Sequence, residues 1–232
     1  MKLKTINFKH AYDSYYRMIN DKLDSKPSIL EIGGGAHPSI LNRKNLNYTI
    51  VDPDQAELIK APNDVIKMKG SVQEFKSDIK YDLIISRMVL EHVEDPDSFH
   101  ASVLDLLKPN GKAIHFFAGR HSFPSLVNRI LPEFAGDTIL KLLKNRDLDQ
   151  SPKYDAHYRR TKGHTKSQIE YFQDLGYSIE SYSSFVGHKY LASLPIIGYL
   201  EKQYSKFLVK IDAKQLATVA LIVLKKNSRN DG

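Results

Sequence analysis

A glycine-rich turn is the group of residues in this sequence with the clearest chemical meaning. Leu30-Glu31-Ile32 is followed directly by Gly33-Gly34-Gly35 and then by Ala36-His37-Pro38. Glycines after a short apolar run can adopt positive φ angles and let a ligand approach the backbone closely. The turn therefore predicts a ligand site, although a strand-to-helix turn that needs glycine only for packing would have the same sequence.

A carboxylate follows at the end of the next apolar run. Asp52 closes the run 48–52 and lies about twenty residues after Glu31, the distance at which such an acid binds ribose. Placed at the tip of a second strand, this side chain would accept hydrogen bonds from ribose hydroxyls. The two signals together predict a nucleoside cofactor, and a nicotinamide cofactor is still compatible with both.

Histidine and arginine provide candidates for chemistry on a second substrate. His121 lies just beyond a predicted strand, and His157 opens a basic segment, so either imidazole could act as a general base. A phosphate or carboxylate of an acceptor could be held by the residues that follow His157, namely Tyr158, Arg159 and Arg160. A basic surface loop explains this segment equally well. The acidic residues and histidines show no repeated metal-ligand spacing, so no metal is predicted.

Seven short apolar and β-branched runs must position these residues. They predict strands at 28–33, 48–52, 65–69, 81–86, 112–117, 177–185 and 215–226. Helix-sized segments lie at about 8–24, after Pro38, and at 54–60, 96–107, 166–175 and 188–210. This alternation predicts an α/β fold with a mostly parallel seven-stranded Rossmann-like sheet and helices on both faces. Ligands bind such sheets at the carboxyl ends of the strands, where Gly33 and Asp52 lie.

The segment 119–165 interrupts this alternation. It has no strand signal, and helical stretches near 126–131 and 138–143 predict a helical insertion after the fifth strand that caps the site. The 232 residues are expected to form a single domain, 1–232, with a core of 25–118 and 166–226, the insertion 119–165 and a disordered tail, 227–232.

Composition limits the classes of protein to consider. The chain has no cysteine, which excludes disulfides, thiolate metal ligands and a cysteine nucleophile. It shows no secretory signal and no run of about eighteen apolar residues, so we expect a soluble, cytoplasmic protein. The net charge of +7 could attract nucleic acid, an anionic membrane surface or an acidic substrate.

Taken together, the motifs resemble those of the class I S-adenosylmethionine-dependent methyltransferases. Glu31–Gly35 resembles their first motif, and Asp52 resembles their ribose-binding acid. Gly70-Ser71-Val72-Gln73 is similar to the third-strand motif that borders the adenine. The segment 81–93, with its trailing Leu-Glu-His-Val, resembles the fourth-strand motif, and 106–111 resembles the turn before the fifth strand. All five occur in family order between about 28 and 118, which a dehydrogenase fingerprint would not explain.

The resemblance implies S-adenosyl-L-methionine as the cofactor and implies the residues that bind it. They are Glu31, Gly33, Gly34, Gly35, Asp52, Pro53, Ser71, Val72, Ser86, Arg87 and Met88. Two positions depart from the family pattern. His37 stands where many members have a third glycine, and Ser71 stands where many have an aspartate that reaches the adenine amino group. Glu91 and His92 belong to the fourth-strand motif and are interpreted as architecture near the site.

The implied activity is in-line O- or N-methylation of an unidentified small-molecule, glycan or lipid-linked acceptor. An alternative is a non-catalytic module that binds S-adenosylmethionine or S-adenosylhomocysteine as a partner subunit. RNA methylation ranks below both, because the sequence has no recognisable nucleic-acid-binding module and nucleic acid is therefore an unlikely partner. The segments 119–165 and 185–191 could enclose a pocket or make a peripheral contact with an anionic membrane. The oligomeric state is not predicted.

Overall fold

The eight strands and five α-helices that the structure describes alternate along much of the chain. The structure, a computed structural model, describes residues 1–23, 26–41, 46–122, 154–188 and 195–227. The strands in these ranges are β1 (Lys2–Asn7), β2 (Ser28–Ile32), β3 (Asn47–Asp52), β4 (Ile66–Lys69), β5 (Tyr81–Arg87), β6 (Leu107–Ala118), β7 (Tyr177–Val186) and β8 (Ala217–Lys226). The α-helices are α1 (Ala11–Asn20), α2 (Gln55–Lys60), α3 (Pro96–Leu106), α4 (Lys166–Asp174) and α5 (Pro195–Lys210).

All of these strands form one sheet in the order β1-β7-β8-β6-β5-β2-β3-β4. β8 runs antiparallel to β6 and β7, and every other neighbouring pair is parallel. The order of strands reverses at β2, which pairs with β3 on one side and with β5 on the other. The predicted α/β class and mostly parallel sheet are confirmed, and ligands of such sheets bind beside the point of reversal.

The predicted number of strands was too low by one, because β1 was not recognised. β1 lies at the edge of the sheet and pairs in parallel with β7, from Lys2 opposite Ser181 to Asn7 opposite Val186. Its first three residues, Lys2–Lys4, are exposed. Charged residues are common on edge strands. A strand of this kind lacks the buried apolar run by which the other seven were predicted.

Helices cover both faces of the sheet, as predicted. On one face, Tyr15 of α1 and Leu58 of α2 pack into an apolar core with the strands. On the other, Phe99 of α3 and Phe172 of α4 pack into a second core. The central strands are therefore buried on both sides, which explains why their sequences are continuous apolar runs rather than alternating ones.

The helix predicted directly after Pro38 is absent from the part of this segment that the structure describes, residues 38–41. The backbone N–H of Ser39 donates to both carboxylate oxygens of Glu31, at 3.1 and 3.0 Å, and the Ser39 hydroxyl donates to Glu31 as well. These bonds hold Ser39 in a loop that returns to β2. The backbone of Ser39 thus bonds to the buried Glu31 carboxylate instead of forming the hydrogen bonds of the predicted helix.

Part of the predicted insertion falls outside the described residues. The helical stretches predicted at 126–131 and 138–143 lie there, as does most of the predicted tail. The described parts of the insertion, 119–122 and 154–165, contain neither helix nor strand. Across the described ranges, no helix has the length and apolar character needed to cross a membrane.

Candidate active site

The glycine turn leaves β2 at the sheet edge where the order of strands reverses. Gly33 has φ +71° and donates its N–H to Val51 O at 2.9 Å, which ties the turn to β3. A Cβ on Gly33 would lie 2.5 Å from Cγ2 of Val89, too close for any side chain. Glycine is therefore required by both backbone conformation and space. The turn presents bare backbone at the carboxyl end of the sheet.

Glu31 lies beneath this turn rather than beside it. Its side chain is buried and receives the Ser39 N–H, the Ser39 hydroxyl and the Tyr48 hydroxyl. Burial raises the pKa of Glu31, and the hydrogen bonds from Ser39 and Tyr48 act in the opposite direction. Because these bonds occupy both carboxylate oxygens, Glu31 fixes the loop 33–39, and its contact with a cofactor stays a prediction.

Asp52 points from the end of β3 toward the glycine turn. Its carboxylate accepts the Asp54 N–H at 2.8 Å and a hydrogen bond from the backbone of Gly35. A Cβ on Gly35 would lie 3.2 Å from Asp52 Oδ2 and 2.9 Å from Cβ of Glu57. Burial raises the pKa of Asp52, with the carboxylates of Asp54 and Glu57 adding to that shift. The structure thus brings Asp52 and the turn together, as the sequence predicted, and exposes Pro53 next to them.

Arg87 connects the end of β5 to both the glycine loop and α1. Its guanidinium donates to the Tyr16 hydroxyl at 2.5 Å and to His37 O at 2.7 Å. His37 itself is exposed, and its backbone rather than its ring makes this contact. Tyr12, on the same helix, packs edge-on against Phe116 of β6. Sequence reasoning missed this aromatic side of α1, for which the spacing of Tyr12 and Tyr16 was the available signal.

Other residues predicted to line the cofactor differ in where their side chains lie. Ser86 is fully buried and its hydroxyl is 2.8 Å from Nδ1 of His115, so it faces the core. Val72 also packs in the core. The Ser71 hydroxyl pairs with the Glu74 carboxylate at 3.0 Å. Met88, by contrast, is exposed at the sheet edge and has φ +56°, a conformation that costs free energy and is frequent at functional sites.

A described segment with no regular secondary structure crosses the carboxyl edge of the sheet, and we name residues 154–161 the strap. The Tyr154 hydroxyl donates to Asp54 Oδ2 at 3.0 Å, beyond β3. The backbone N–H groups of His157 and Tyr158 donate to Glu91 O at 2.8 and 2.9 Å, beyond β5. Thr161 O accepts the Arg120 N–H at 2.7 Å, beyond β6. The strap therefore lies over the ends of three strands.

The residues predicted for acceptor chemistry lie on or beside the strap. Arg120, next to His121, donates from its side chain to Tyr158 O at 3.3 Å, so the two predicted bases occupy neighbouring segments. His157 is exposed and His121 is half-buried. Among the predicted acceptor-binding residues, the Tyr158 side chain is buried. Arg159 donates to Glu94 O at 2.7 Å, and the Arg160 guanidinium lies 4.6 Å from the centre of the Tyr171 ring.

Glu91 is a buried carboxylate under the strap. Backbone N–H groups of Ala118 and of Glu91 itself donate to it, whereas its Oε2 has no hydrogen-bond partner in the described chain. Burial raises its pKa to about 7. Sequence reasoning treated Glu91 as architecture. The available signal was an acid between the apolar residues Leu90 and Val93, shortly after the end of the buried strand β5.

A surface depression of about 460 Å³ lies at the opposite edge of the sheet, lined in part by Pro27, Asp82 and Gly111. It opens at the amino ends of β2 and β5, where parallel strands do not usually bind ligands. Among the described residues, no group of three or more acidic or histidine side chains could hold a metal ion. The candidate site is therefore the edge formed by the glycine turn, Asp52 and the strap.

Comparisons with known proteins identify the domain to which these residues belong. A family model described as a methyltransferase domain matches residues 7–164. The chain is 26% identical over 140 residues to the ubiquinone biosynthesis O-methyltransferase of Rickettsia bellii, covering 57% of this chain and 58% of that protein. It is 32% identical over 99 residues to the enzyme of the same name from Rickettsia felis, covering 39% and 41%. The chain thus spans about half the length of these curated relatives.

Solved structures share the fold at low sequence identity. The N-methyltransferase NodS from Bradyrhizobium japonicum superposes with a TM-score of 0.54 at 13% identity, covering 93% of this chain and 96% of that one. Phosphoethanolamine N-methyltransferase 2 from Haemonchus contortus, solved with S-adenosyl-L-methionine, superposes with a TM-score of 0.51 at 15% identity, covering 86% and 48%. At these identities the likeness concerns the fold alone.

Proposed function

Because this chain belongs to the class I S-adenosylmethionine-dependent methyltransferases, we propose that it transfers the methyl group of S-adenosylmethionine to a hydroxyl oxygen of a small or lipid-linked acceptor. Membership rests on the family model, which matches more than half of the chain. Oxygen is favoured over nitrogen because the curated relatives are named O-methyltransferases. The buried carboxylate of Glu91 also favours oxygen, since a hydroxyl must lose a proton when it is methylated.

One observation carries the cofactor assignment: where the strand order reverses, the Asp52 carboxylate accepts a hydrogen bond from the backbone of Gly35, in a turn whose Gly33 is exposed. Side chains at Gly33 or Gly35 would collide with Val89, Glu57 or Asp52. This edge fits a nucleoside with an attached amino-acid chain, because the Asp52 carboxylate can accept from ribose hydroxyls and the turn can accommodate the chain. Met88 and Pro53 are exposed beside it.

The cofactor, when bound, supplies a sulfonium-activated methyl group. The protein has to align the acceptor with that methyl group, exclude water and accept a proton. Alignment falls to the strap and to α1, which Arg87 fixes against the glycine loop. Three groups at this edge could accept the proton: Glu91, His121 and His157. Glu91 has a pKa of about 7, close to the value that suits a general base at neutral pH.

The acceptor is proposed by chemistry and not by name. Arg159 and Arg160 each use their guanidinium for one contact, with Glu94 O and the Tyr171 ring, and each retains donors that could bind a phosphate or carboxylate. The aromatic side chains of Tyr12 and Tyr16 would suit an apolar ring or chain. These features support a small, partly apolar acceptor with an anionic or lipid-linked portion.

Binding of S-adenosylhomocysteine by the purified chain tests the cofactor site. Asp52→Ala is expected to raise the dissociation constant by roughly tenfold to a hundredfold, because a charge-assisted hydrogen bond is lost. Titration calorimetry measures the affinity, and circular dichroism checks that the variant is folded. Asp105→Ala, at an exposed acid paired with Lys80 on the surface, is the matched control and should bind as the unmodified chain does. Equal affinity in both variants would remove Asp52 from the site.

Methyl transfer from S-adenosylmethionine labelled in its methyl group tests the acceptor class. We expect label in a catechol that carries a short isoprenoid chain, recovered as an ether, and little label in phosphoethanolamine. Transfer to the amine alone would contradict O-methylation. Tight binding of S-adenosylhomocysteine with no transfer to either acceptor or to extracted lipids would favour the non-catalytic binding module.

A further inference from the structure

The outward face of α5 carries a continuous apolar stripe. Six large side chains on it, extending one residue past the helix end, are at least half exposed; we name them the α5 stripe: Ile196, Tyr199, Leu200, Tyr204, Phe207 and Ile211. They recur every three or four residues, which places them along one side of the helix. Single exposed apolar residues are ordinary on protein surfaces, whereas a contiguous row marks an interaction surface.

The opposite face of α5 already packs against the domain. Leu208 lies in a small core with Val186 and Ala213. Ser205 approaches Gly187 so closely that a Cβ there would lie 1.9 Å from the Ser205 hydroxyl oxygen. These contacts fix the rotation of the helix about its axis. The stripe therefore faces outward because its partner face is buried.

Lysines accompany the stripe. Lys202, Lys206 and Lys210 follow one another at intervals of one helical turn and are all exposed. The acid of this helix, Glu201, lies on the buried face, 2.9 Å from Nδ1 of His188. An apolar row edged by cations and without an exposed acid on the helix complements a surface that is both apolar and anionic. A bilayer containing anionic lipid has these two properties together.

The stripe lies at the same sheet edge as the candidate site. α5 packs against Val186, the last residue of β7, and β7 runs in the same direction as β6 because both are antiparallel to β8. At this edge Gly119, directly after β6, donates its N–H to Thr218 O in β8. A protein resting on a bilayer through α5 would keep the carboxyl edge of its sheet near the lipid headgroups.

We propose that the α5 stripe and its three lysines bind the protein to the surface of an anionic lipid bilayer. The proposal rests on the geometry and charge of α5 and not on the methyl acceptor. It also differs from the membrane contact expected from the sequence at 119–165 and 185–191, much of which lies outside the described residues. Apolar side chains would enter the headgroup region, and the lysines would contact anionic headgroups.

Vesicle flotation of the full chain tests the proposal. We expect binding to vesicles of equimolar phosphatidylcholine and phosphatidylglycerol, little binding to phosphatidylcholine alone, and release at high salt. Phe207→Glu should weaken binding by at least about tenfold, because it replaces an aromatic side chain that would enter the headgroup region with a charged one. Changing Lys202, Lys206 and Lys210 together to Gln should weaken it by roughly a hundredfold, since each cation near an anionic surface contributes about a factor of five.

Two matched variants serve as controls. Ile59→Glu places the same charge at an apolar position on α2 that is more than half exposed, as Phe207 is. Changing Lys69, Lys76 and Lys166 together to Gln removes the same charge from other exposed sites. Both controls should float with anionic vesicles as the unmodified chain does.

Three outcomes would overturn the proposal. They are no flotation of the unmodified chain with anionic vesicles, equal losses in the control and α5 variants, or a dimer in solution that Phe207→Glu converts to a monomer without any vesicle binding. The last would assign the stripe to a second copy of the chain. Binding of S-adenosylhomocysteine by the same variants reports separately on the proposed function.

Discussion

At the residue scale, Glu91 is the side chain whose environment departs most from what its sequence position suggested. It lies among buried residues, its Oε2 has no partner in the described structure, and its pKa is about 7. An ionised carboxylate in such a place is destabilising unless it is fully hydrogen-bonded. The fold therefore keeps a group at the site that changes its protonation near neutral pH.

Replacement of Glu91 by Gln should change how stability depends on pH. The pKa of Glu91 in the folded state is raised to about 7 from the usual 4.5. Protonation of Glu91 therefore contributes its full stabilisation below about pH 4.5, and this stabilisation is lost as the pH rises through about 7. The Gln variant keeps a neutral side chain throughout. As the pH rises across this window, the free energy of unfolding of the Gln variant should therefore increase relative to that of the unmodified chain, by at most about 3 kcal/mol.

Denaturant unfolding at a series of pH values measures this difference. Glu74→Gln is the control, because the Ser71 backbone and hydroxyl donors lower the pKa of Glu74 and give the opposite sign. A difference between Glu91→Gln and the unmodified chain that stays constant with pH would contradict the buried, proton-binding state of Glu91.

Gly33→Ala should destabilise the turn through two separable effects. The positive φ costs about 1 to 2 kcal/mol for a residue with a Cβ, and the contact with Val89 adds a steric cost. The double variant Gly33→Ala, Val89→Ala removes only the steric part. In denaturant unfolding, we expect the double variant to be at least about 1 kcal/mol more stable than the sum of the two single-variant effects predicts. Strict additivity would show that the two residues do not meet.

At the scale of elements, the strap joins parts of the chain that are distant in sequence. Its backbone bonds to Glu91 and Arg120, and its Tyr154 hydroxyl bond to Asp54, hold it over the ends of β3, β5 and β6. Asp54 also caps α2 by accepting the Ala56 and Glu57 N–H groups. The strap is therefore attached next to the strand end that carries Asp52.

Tyr154→Phe should release one end of the strap while leaving the fold intact. Loss of one hydrogen bond is expected to speed dissociation of S-adenosylhomocysteine by roughly twofold to tenfold. Stopped-flow fluorescence displacement measures the rate. Tyr204→Phe removes a similarly exposed hydroxyl on α5 and should leave the rate unchanged. An unchanged rate in both variants would place the strap outside the path of cofactor release.

Elements that are buried on both faces were predictable from sequence, and elements defined by contacts were not. β2, β3 and β5 are apolar runs because both faces of the sheet are covered, so their sequences identify them. β1 carries lysines at an edge, and the loop 38–41 takes its shape from a buried Glu31 contact. Neither feature has a local pattern that distinguishes it.

At the scale of the whole molecule, the edge strand β1 lies almost entirely outside the range matched by the family model, as β7 and β8 do. The family match begins at residue 7, where β1 ends, and the other seven strands include every strand predicted from sequence. β1 is held by its pairing with β7 and by the Thr5 hydroxyl, which donates to Asp212 just after α5. It is separated from Asp52 by most of the width of the sheet.

Removal of residues 1–7 should therefore lower stability more than cofactor affinity. A loss of about 2 kcal/mol corresponds to a decrease in Tm of about 4 to 8 °C for a chain of this size. Thermal unfolding followed by circular dichroism measures the first effect, and calorimetry with S-adenosylhomocysteine measures the second. A folded truncated chain that no longer binds the ligand would show that β1 acts on the site.

The sequence by itself determined the fold class, the family and the position of the glycine turn and Asp52, because these depend on buried runs and on short-range spacing. The tertiary structure decided which side chains meet. It turned Ser86 toward His115, placed Glu31 beneath the turn and brought the strap across the strand ends. Such contacts depend on how the chain folds, and most of them join residues far apart in the sequence, so no local pattern encodes them. The same holds for the α5 stripe, which became a surface only when packing fixed which face of the helix is buried.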